Sequence, residues 1–150
     1  MLFRSWIRGV STIVDNETID RDEGVFVKRI GDTTNIVATG EVLANDQAII
    51  IDAGYNLIGG AAVANKYIID TDLNTKLQGG PSSGSSDNVQ EWGGAGWLGA
   101  VYWKTSGLNS NHWIRGVSTI VDSNFLFRAD RAYFIKRLSG TTQWSRPSPL

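Results

Sequence analysis

The feature that most constrains this chain is a ten-residue segment that occurs twice without change. The sequence WIRGVSTIVD fills residues 6–15 and again residues 113–122. A looser match comes after each copy, since VFVKRIGDTT at 25–34 resembles YFIKRLSGTT at 133–142. Self-similarity of this kind indicates one supersecondary unit that is used twice.

The two copies, about residues 6–34 and 113–142, differ in the length of chain on their C-terminal side. The first leads into NIVATGEVLANDQAIIIDAGYNLIGG, which is long enough for three more strands, whereas the second leads into QWSRPSPL. If each unit needs such strands to complete a sheet, the second copy is left with an open edge. Open edges are templates for pairing with another chain.

The pattern of the chain is that of an all-β protein. Short runs rich in Val, Ile, Thr and aromatic residues alternate with clusters of Gly, Asn, Asp and Ser, which is typical of strands and turns. The predicted strands lie near residues 6–14, 24–30, 35–43, 47–52, 55–59, 66–70, 88–92, 97–104, 112–121, 125–128, 132–138 and 141–145.

This spacing predicts one domain over residues 1–150, an antiparallel β-sandwich built from the imperfect repeat. Gly9 and Gly116 lie inside predicted strands, which suggests a bulge or a close backbone approach at each. A short helix is predicted over residues 72–78, and a flexible loop over residues 79–87, GGPSSGSSD.

Composition and charge exclude several classes of protein. No apolar run approaches the roughly 20 residues that span a bilayer, the opening MLFRSWIRGV does not resemble a signal peptide, and the chain has no cysteine. The net charge of −1 is unlike that of a nucleic-acid-binding domain. Residues 1–75 nevertheless carry −5 and residues 76–150 carry +4. This asymmetry reflects either acidic loops early in the chain or a dipolar subunit whose two ends attract each other.

Three short strings match chemical motifs, but each lacks the context that its chemistry needs. Residues 80–84 fit G-x-S-x-G, yet they lie in a Gly/Ser loop, and His112 is the sole histidine of the chain. Residues 94–99 fit G-x-G-x-x-G but precede a strand, not a helix. Residues 70–74 open like a calcium loop, without its glycine and its final glutamate. We therefore assign no catalytic, cofactor-binding or metal-binding residue, and we do not expect an enzyme.

Six tryptophans are many for a chain of this length. Trp6 and Trp113 belong to the repeat, so their first interpretation is core packing. Trp92, Trp97 and Trp103 surround one predicted Gly-rich hairpin. If these three share a face they could stack on sugar rings, although the alternation in WLGAVYW suits a core equally well.

The order of several segments resembles an uncharacterised family of secreted bacterial β-sandwich repeat proteins, found among the exported proteins of planctomycete- and verrucomicrobium-like bacteria. The resemblance rests on GVFVKRI, TNIVATGEV, AGYNLIGG and AYFIKR, on the short helix at 72–77 and on the hairpin at 87–97. It covers most of residues 20–145. It implies export and a β-sandwich, and it supplies no catalytic residue. The chain departs from the family in showing neither a signal sequence nor a sorting segment.

The unequal repeat, the polarised charge and the absence of an active-site pattern together predict a structural subunit. We expect copies to assemble head to tail into an extracellular or cell-surface filament by β-strand addition, with residues 2–14 or 133–146 as the donated segment. The expected assembly residues are Phe3, Trp6, Arg8, Val10, Trp113, Arg115, Phe134, Lys136 and Trp144.

The alternative is a monomeric secreted module that binds glycans or acts as an adhesin. In that case Trp92, Trp97 and Trp103 would stack on sugars. The expected partners are thus other copies of the chain or, in the alternative, glycans. Neither nucleic acid nor membrane insertion is expected.

Overall fold

The prediction of an all-β antiparallel fold with one short helix is confirmed. The computed structural model describes residues 7–8, 12–13, 46–59, 65–93, 95–128 and 131–146. The strands are β1 (Ile7–Arg8), β2 (Thr12–Ile13), β3 (Gln47–Ile51), β4 (Gly54–Gly59), β5 (Lys66–Tyr67), β6 (Asn88–Glu91), β7 (Val101–Lys104), β8 (His112–Arg115), β9 (Thr119–Ile120), β10 (Leu126–Phe127), β11 (Ala132–Arg137) and β12 (Thr142–Arg146). The helix α1 spans Leu73–Lys76, and 3₁₀ turns span Ile68–Asp70 and Ser83–Ser85.

Six strands form the main sheet, in the order β4-β11-β6-β7-β8-β9, and every pairing is antiparallel. Three two-stranded pairs complete the described strands: β1 with β2, β5 with β10, and β3 with β12. Strand β11 is an interior strand of this sheet, because it pairs with β4 on one side and β6 on the other. The predicted strands at 24–30 and 35–43 lie outside the described residues.

The core lies against one face of the main sheet. Alternation along β11 directs Tyr133 and Ile135 to this face, and both are fully buried. Phe127 packs in the same core, with ring centroids 4.7 Å from Tyr133 and 5.8 Å from Trp144 of β12. Strands β3 and β12 therefore contribute to the same core, whereas the two-sheet sandwich itself stays a prediction.

Each copy of the repeated segment forms a hairpin and not a single strand. The prediction of one continuous strand over 112–121 is wrong because the chain turns at Gly116, whose φ of +67° is readily reached by glycine. The same correction applies to the strand predicted at 6–14, where the described residues form two short strands, β1 and β2, that pair with each other. The register of the first copy is Ile7↔Ile13 and Arg8↔Thr12, and that of the second is Ile114↔Ile120 and Arg115↔Thr119. Position by position, the two hairpins pair identically.

The loop over residues 79–87 has more internal structure than its composition predicted. Ser82 and Ser85 cap a 3₁₀ turn reciprocally, with their hydroxyl oxygens 3.0 Å apart. Ser86 and Asp87 are buried. The carboxylate of Asp87 accepts the backbone N–H groups of Gln78 and Leu138, at 2.8 and 2.7 Å, and so ties this loop to the end of β11.

Candidate functional site

The second copy of the repeated segment shows how WIRGVSTIVD docks on a strand. Strand β8 pairs with β7 over four residues, and the pairs that involve the segment include Trp103↔Trp113 and Tyr102↔Ile114. Trp113 is fully buried on the core face, where its ring lies 5.6 Å from that of Trp103. Ile114 is fully buried on the opposite face. The hairpin is therefore held through both faces of the sheet.

An ion pair fixes the same hairpin to β6. The Arg115 guanidinium donates to Glu91 Oε1 at 2.9 Å, and its central carbon lies 5.6 Å from the centre of the Phe125 ring. Both charged side chains are partly buried, so the contact is less screened by solvent than a surface pair. Arg115 therefore gives the docked hairpin an electrostatic preference for a position beside Glu91.

Asp122 closes the hairpin at its other end. Its Oδ1 accepts the backbone N–H of Trp113 at 2.7 Å, and its Oδ2 lies 2.5 Å from His112 Nδ1. The N–H of Val121 also donates to the carbonyl of Trp113, at 2.9 Å. Trp113, Arg115 and Asp122 all lie inside the repeated segment, so the docking chemistry belongs to the ten residues themselves.

A second feature is an aromatic patch on the face of the main sheet opposite the core, formed by Tyr55, Trp92, Trp97 and Phe134. Ring centroids are 6.0 Å apart for Tyr55 and Phe134, 4.6 Å for Phe134 and Trp97, and 5.2 Å for Trp97 and Trp92. Tyr55 is 65% exposed, and the two tryptophans are 39% and 38% exposed. Lys136 Nζ lies 5.7 Å from the centre of the Tyr55 ring. The patch thus offers accessible ring surface beside a cation.

The structure separates the three tryptophans that the sequence grouped. Trp92 and Trp97 are bridge partners within the aromatic patch. Trp103 lies on the core face instead, where it packs on Trp113 and the buried cluster. A sugar site built from all three is therefore incompatible with this arrangement.

The predicted assembly residues are also distributed over several environments. Trp113 and Trp144 are buried in the chain's own core, so neither presents its side chain to another molecule in this arrangement. Phe134 and Lys136 belong to the aromatic patch or adjoin it. Arg8 is described through its backbone in β1. The predicted residues Phe3, Trp6 and Val10 lie outside the described residues.

Sequence reasoning missed three contributors to these features: Glu91, Asp122 and Tyr55. Asp122 could have been found, because it ends the repeated segment and an acidic side chain there can accept backbone N–H groups. Tyr55 could have been found from the alternation in GYNLIG, which places it opposite in parity to buried Ile58. Glu91 carried no local signal, since its pairing with Arg115 depends on the order of strands in the sheet.

Among the described residues, no three His, Cys, Asp or Glu side chains are grouped closely enough to hold a metal ion. No helix in the described ranges has the length and apolar character needed to cross a bilayer.

Comparison of the chain with protein-family models, curated proteins and solved structures gives no match. The resemblance to secreted bacterial β-sandwich repeats therefore stays a prediction.

Proposed function

We propose that this chain is a structural subunit that assembles head to tail with copies of itself, by β-strand addition, into an extracellular or cell-surface filament. The observation that carries the proposal is the docking of residues 113–122 on β7. The chain holds a second copy of the same ten residues, with the same hairpin register. It therefore contains a strand edge and two segments of identical sequence that suit that edge.

Of the two candidate donor segments, residues 133–146 are the less suitable. Residues 133–146 include β11, which is paired on both sides, and fully buried Tyr133 and Ile135. Donating that segment would dismantle the core of the subunit that gives it up. The proposal therefore names residues 2–14, which contain most of the first copy of the repeated segment, as the donor.

The assembly proposal is tested by measuring size against concentration. We expect light scattering in dilute neutral buffer to show species that grow with protein concentration, and electron microscopy of the same samples to show regular fibres. Each subunit contributes 16.4 kDa, so the monomer is readily distinguished. A single 16.4 kDa species at every concentration would contradict the proposal.

The aromatic patch favours a second candidate function, glycan binding. Aromatic rings suit the apolar faces of pyranose sugars, and aromatic ring contacts are worth about 0.5–1.5 kcal/mol beyond area burial. Tyr55 and Phe134 present such rings on the face opposite the core, and Gln90 lies directly opposite Phe134 in β6 as a hydrogen-bonding side chain. In this candidate the site consists of Tyr55, Trp92, Trp97 and Phe134, without Trp103.

Affinity electrophoresis against soluble polysaccharides tests this candidate. We expect retardation by at least one β-linked glucan or N-acetylhexosamine polymer, reduced roughly fivefold by Tyr55→Ala, since one stacked ring is removed. Tyr67→Ala is the matched control, because Tyr67 is also exposed but lies on β5 in a different sheet. Equal retardation of both variants, or none of the unaltered chain, would exclude the patch as a glycan site.

A further inference from the structure

We infer that the aromatic patch takes acidic polysaccharides, namely polymers of hexuronic acids, and that Lys136 is the residue that holds the sugar carboxylate. This inference rests on the second candidate function, glycan binding, and names the substrate class of that site. It is carried by a cation that lies beside an exposed ring and that, within the part of the chain that the structure describes, forms no ion pair.

Lys136 lies in the middle of a row of side chains that crosses three strands. Tyr55 of β4 is directly opposite it on one side, and Asn88 of β6 is directly opposite it on the other. Directly opposite residues of antiparallel strands point to the same face of the sheet. The next row on this face contains Leu57, Phe134 and Gln90. The side chains around Lys136 in these two rows are therefore all uncharged.

The contact between Lys136 and Tyr55 is a weak one. The Lys136 Nζ atom lies 5.7 Å from the centre of the Tyr55 ring, close to the outer limit of about 6 Å for a cation–π contact. Tyr55 is 65% exposed, so water screens this attraction. The ammonium carries three N–H donors on a flexible stem. A carboxylate is therefore a stronger partner for this ammonium than the ring is.

Two acidic residues flank the strands of this face, and both have other partners. Asp52, which precedes β4, accepts the hydroxyl of Thr141 at 2.7 Å. Glu91, at the end of β6, accepts the guanidinium of Arg115 at 2.9 Å on the core side of the sheet. The carboxylate that Lys136 suits therefore has to come from a ligand.

Gln90 supplies a hydrogen-bonding group of the kind that sugar hydroxyls need. It is half-buried and lies directly opposite Phe134. Its side-chain amide forms no hydrogen bond with another described residue, and such an amide offers both donors and an acceptor. A ring, an amide and an ammonium thus lie on one face, and a few polar groups of this kind beside apolar surface are typical of small-molecule sites.

The position of the cation selects among acidic sugars. A hexuronic acid carries its carboxylate directly on the pyranose ring, so the charge stays close to the edge of a sugar that is stacked on Tyr55. Lys136 Nζ lies beside that same aromatic ring. A neutral hexose offers the ammonium only hydroxyl groups, which are weaker acceptors than a carboxylate. The site is therefore expected to prefer the acid to a neutral form of the same sugar.

Affinity electrophoresis with two forms of one polymer tests this preference. Polygalacturonate carries the carboxylates, and its fully methyl-esterified form has the same sugar backbone without the charge. We expect the acid form to bind roughly fivefold more tightly, which is the effect of a single partly screened ion pair. The difference should shrink at a salt concentration of about 0.5 M, because salt screens the pair.

Variants of Lys136 assign the effect to that residue. Lys136→Gln should bind the ester unchanged and lose the additional affinity for the acid, whereas Lys136→Arg should retain it. Lys104→Gln is the matched control, because it removes the same charge from β7, where Lys104 lies opposite His112 and outside the aromatic patch. Circular dichroism establishes that each variant is folded. The comparison of acid with ester uses the unaltered chain and needs no variant.

The outcomes separate this inference from the glycan-binding candidate on which it rests. If no polysaccharide retards the unaltered chain, glycan binding itself fails. If the acid and the ester retard it equally, or if only neutral polymers retard it, glycan binding stands and the acidic class is overturned. If Lys104→Gln loses as much affinity for the acid as Lys136→Gln, the role of Lys136 is overturned, because the polymer then responds to overall charge.

Discussion

Among the residues that the structure describes, Asp87 is the charged residue that is buried. Its two oxygens accept backbone N–H groups from Gln78 and Leu138, and the guanidinium of Arg137 lies 3.4 Å away. The same guanidinium donates to the carbonyl of Lys76 at 3.0 Å. One carboxylate thus joins the end of α1, the serine-rich loop and the end of β11.

Replacing Asp87 by alanine should cost about 3–5 kcal/mol in the free energy of unfolding, because backbone donors and a largely buried cation lose their acceptor. Urea unfolding followed by tryptophan fluorescence measures this change. Asp72→Ala is the control: Asp72 is exposed and meets Lys76 at 3.9 Å, so its loss should cost less than about 1 kcal/mol. Equal midpoints for the two variants would show that the Asp87 contacts contribute nothing.

The alternation of residues between the two faces of a sheet holds only within the bounds of a strand. Counting by twos from Trp97 to Trp103 places both on one face, yet the structure places them on opposite faces. The reason is that β7 begins at Val101, so the residues before it are not bound to the parity of the strand. Within β11 the same rule holds, since Tyr133 and Ile135 are buried while Phe134 joins the patch.

At the scale of elements, Gly116 makes the hairpin possible. A Cβ at this position would meet no atom within 4 Å, so a substitution is penalised through the backbone conformation alone. Gly116→Ala should therefore lower the free energy of unfolding by about 1–2 kcal/mol, and Gly116→Asn by less, because asparagine tolerates positive φ.

Gly96→Ala is the matched control for this position. Gly96 also has open space around its Cα, but its φ is not in the left-handed region. The control should change stability by less than about 0.5 kcal/mol. If Gly96→Ala and Gly116→Ala unfold at the same urea concentration, the turn at Gly116 imposes no conformational requirement.

Many of the strands could be predicted from the sequence, but the way in which they pair often could not. Runs such as QAIII and AYFIKR carry the β-branched and aromatic residues of strands, and they form β3 and β11. The turn inside WIRGVSTIVD was missed because strand-forming residues surround a single glycine. The position of β11 between β4 and β6 could not be predicted either, because it depends on contacts between residues far apart in the chain.

At the scale of the whole molecule, the chain carries one copy of the repeated segment on β7 and a second copy of identical sequence at residues 6–15. Within one chain, residues 113–122 dock on their own β7. In the proposed assembly, the identical residues 6–15 of a neighbouring chain compete for this edge of β7, and the balance between the two states depends on subunit concentration. The charge of −5 on residues 1–75 and +4 on residues 76–150 reflects either acidic loops early in the chain or, in the proposed assembly, an attraction between the first unit of one copy and the second unit of another.

The pairing of β3 with β12 also has a consequence for biosynthesis. Gln47 pairs with Arg146, and Ile51 pairs with Thr142, so β3 leaves the ribosome long before its partner strand is made. At about 5–20 residues per second, that interval is roughly 5–20 s. Throughout it, Ile49 and Ile51 lack the cover that Trp144 later provides. This isoleucine-rich strand is therefore a segment of the nascent chain that a chaperone is expected to cover until β12 is made.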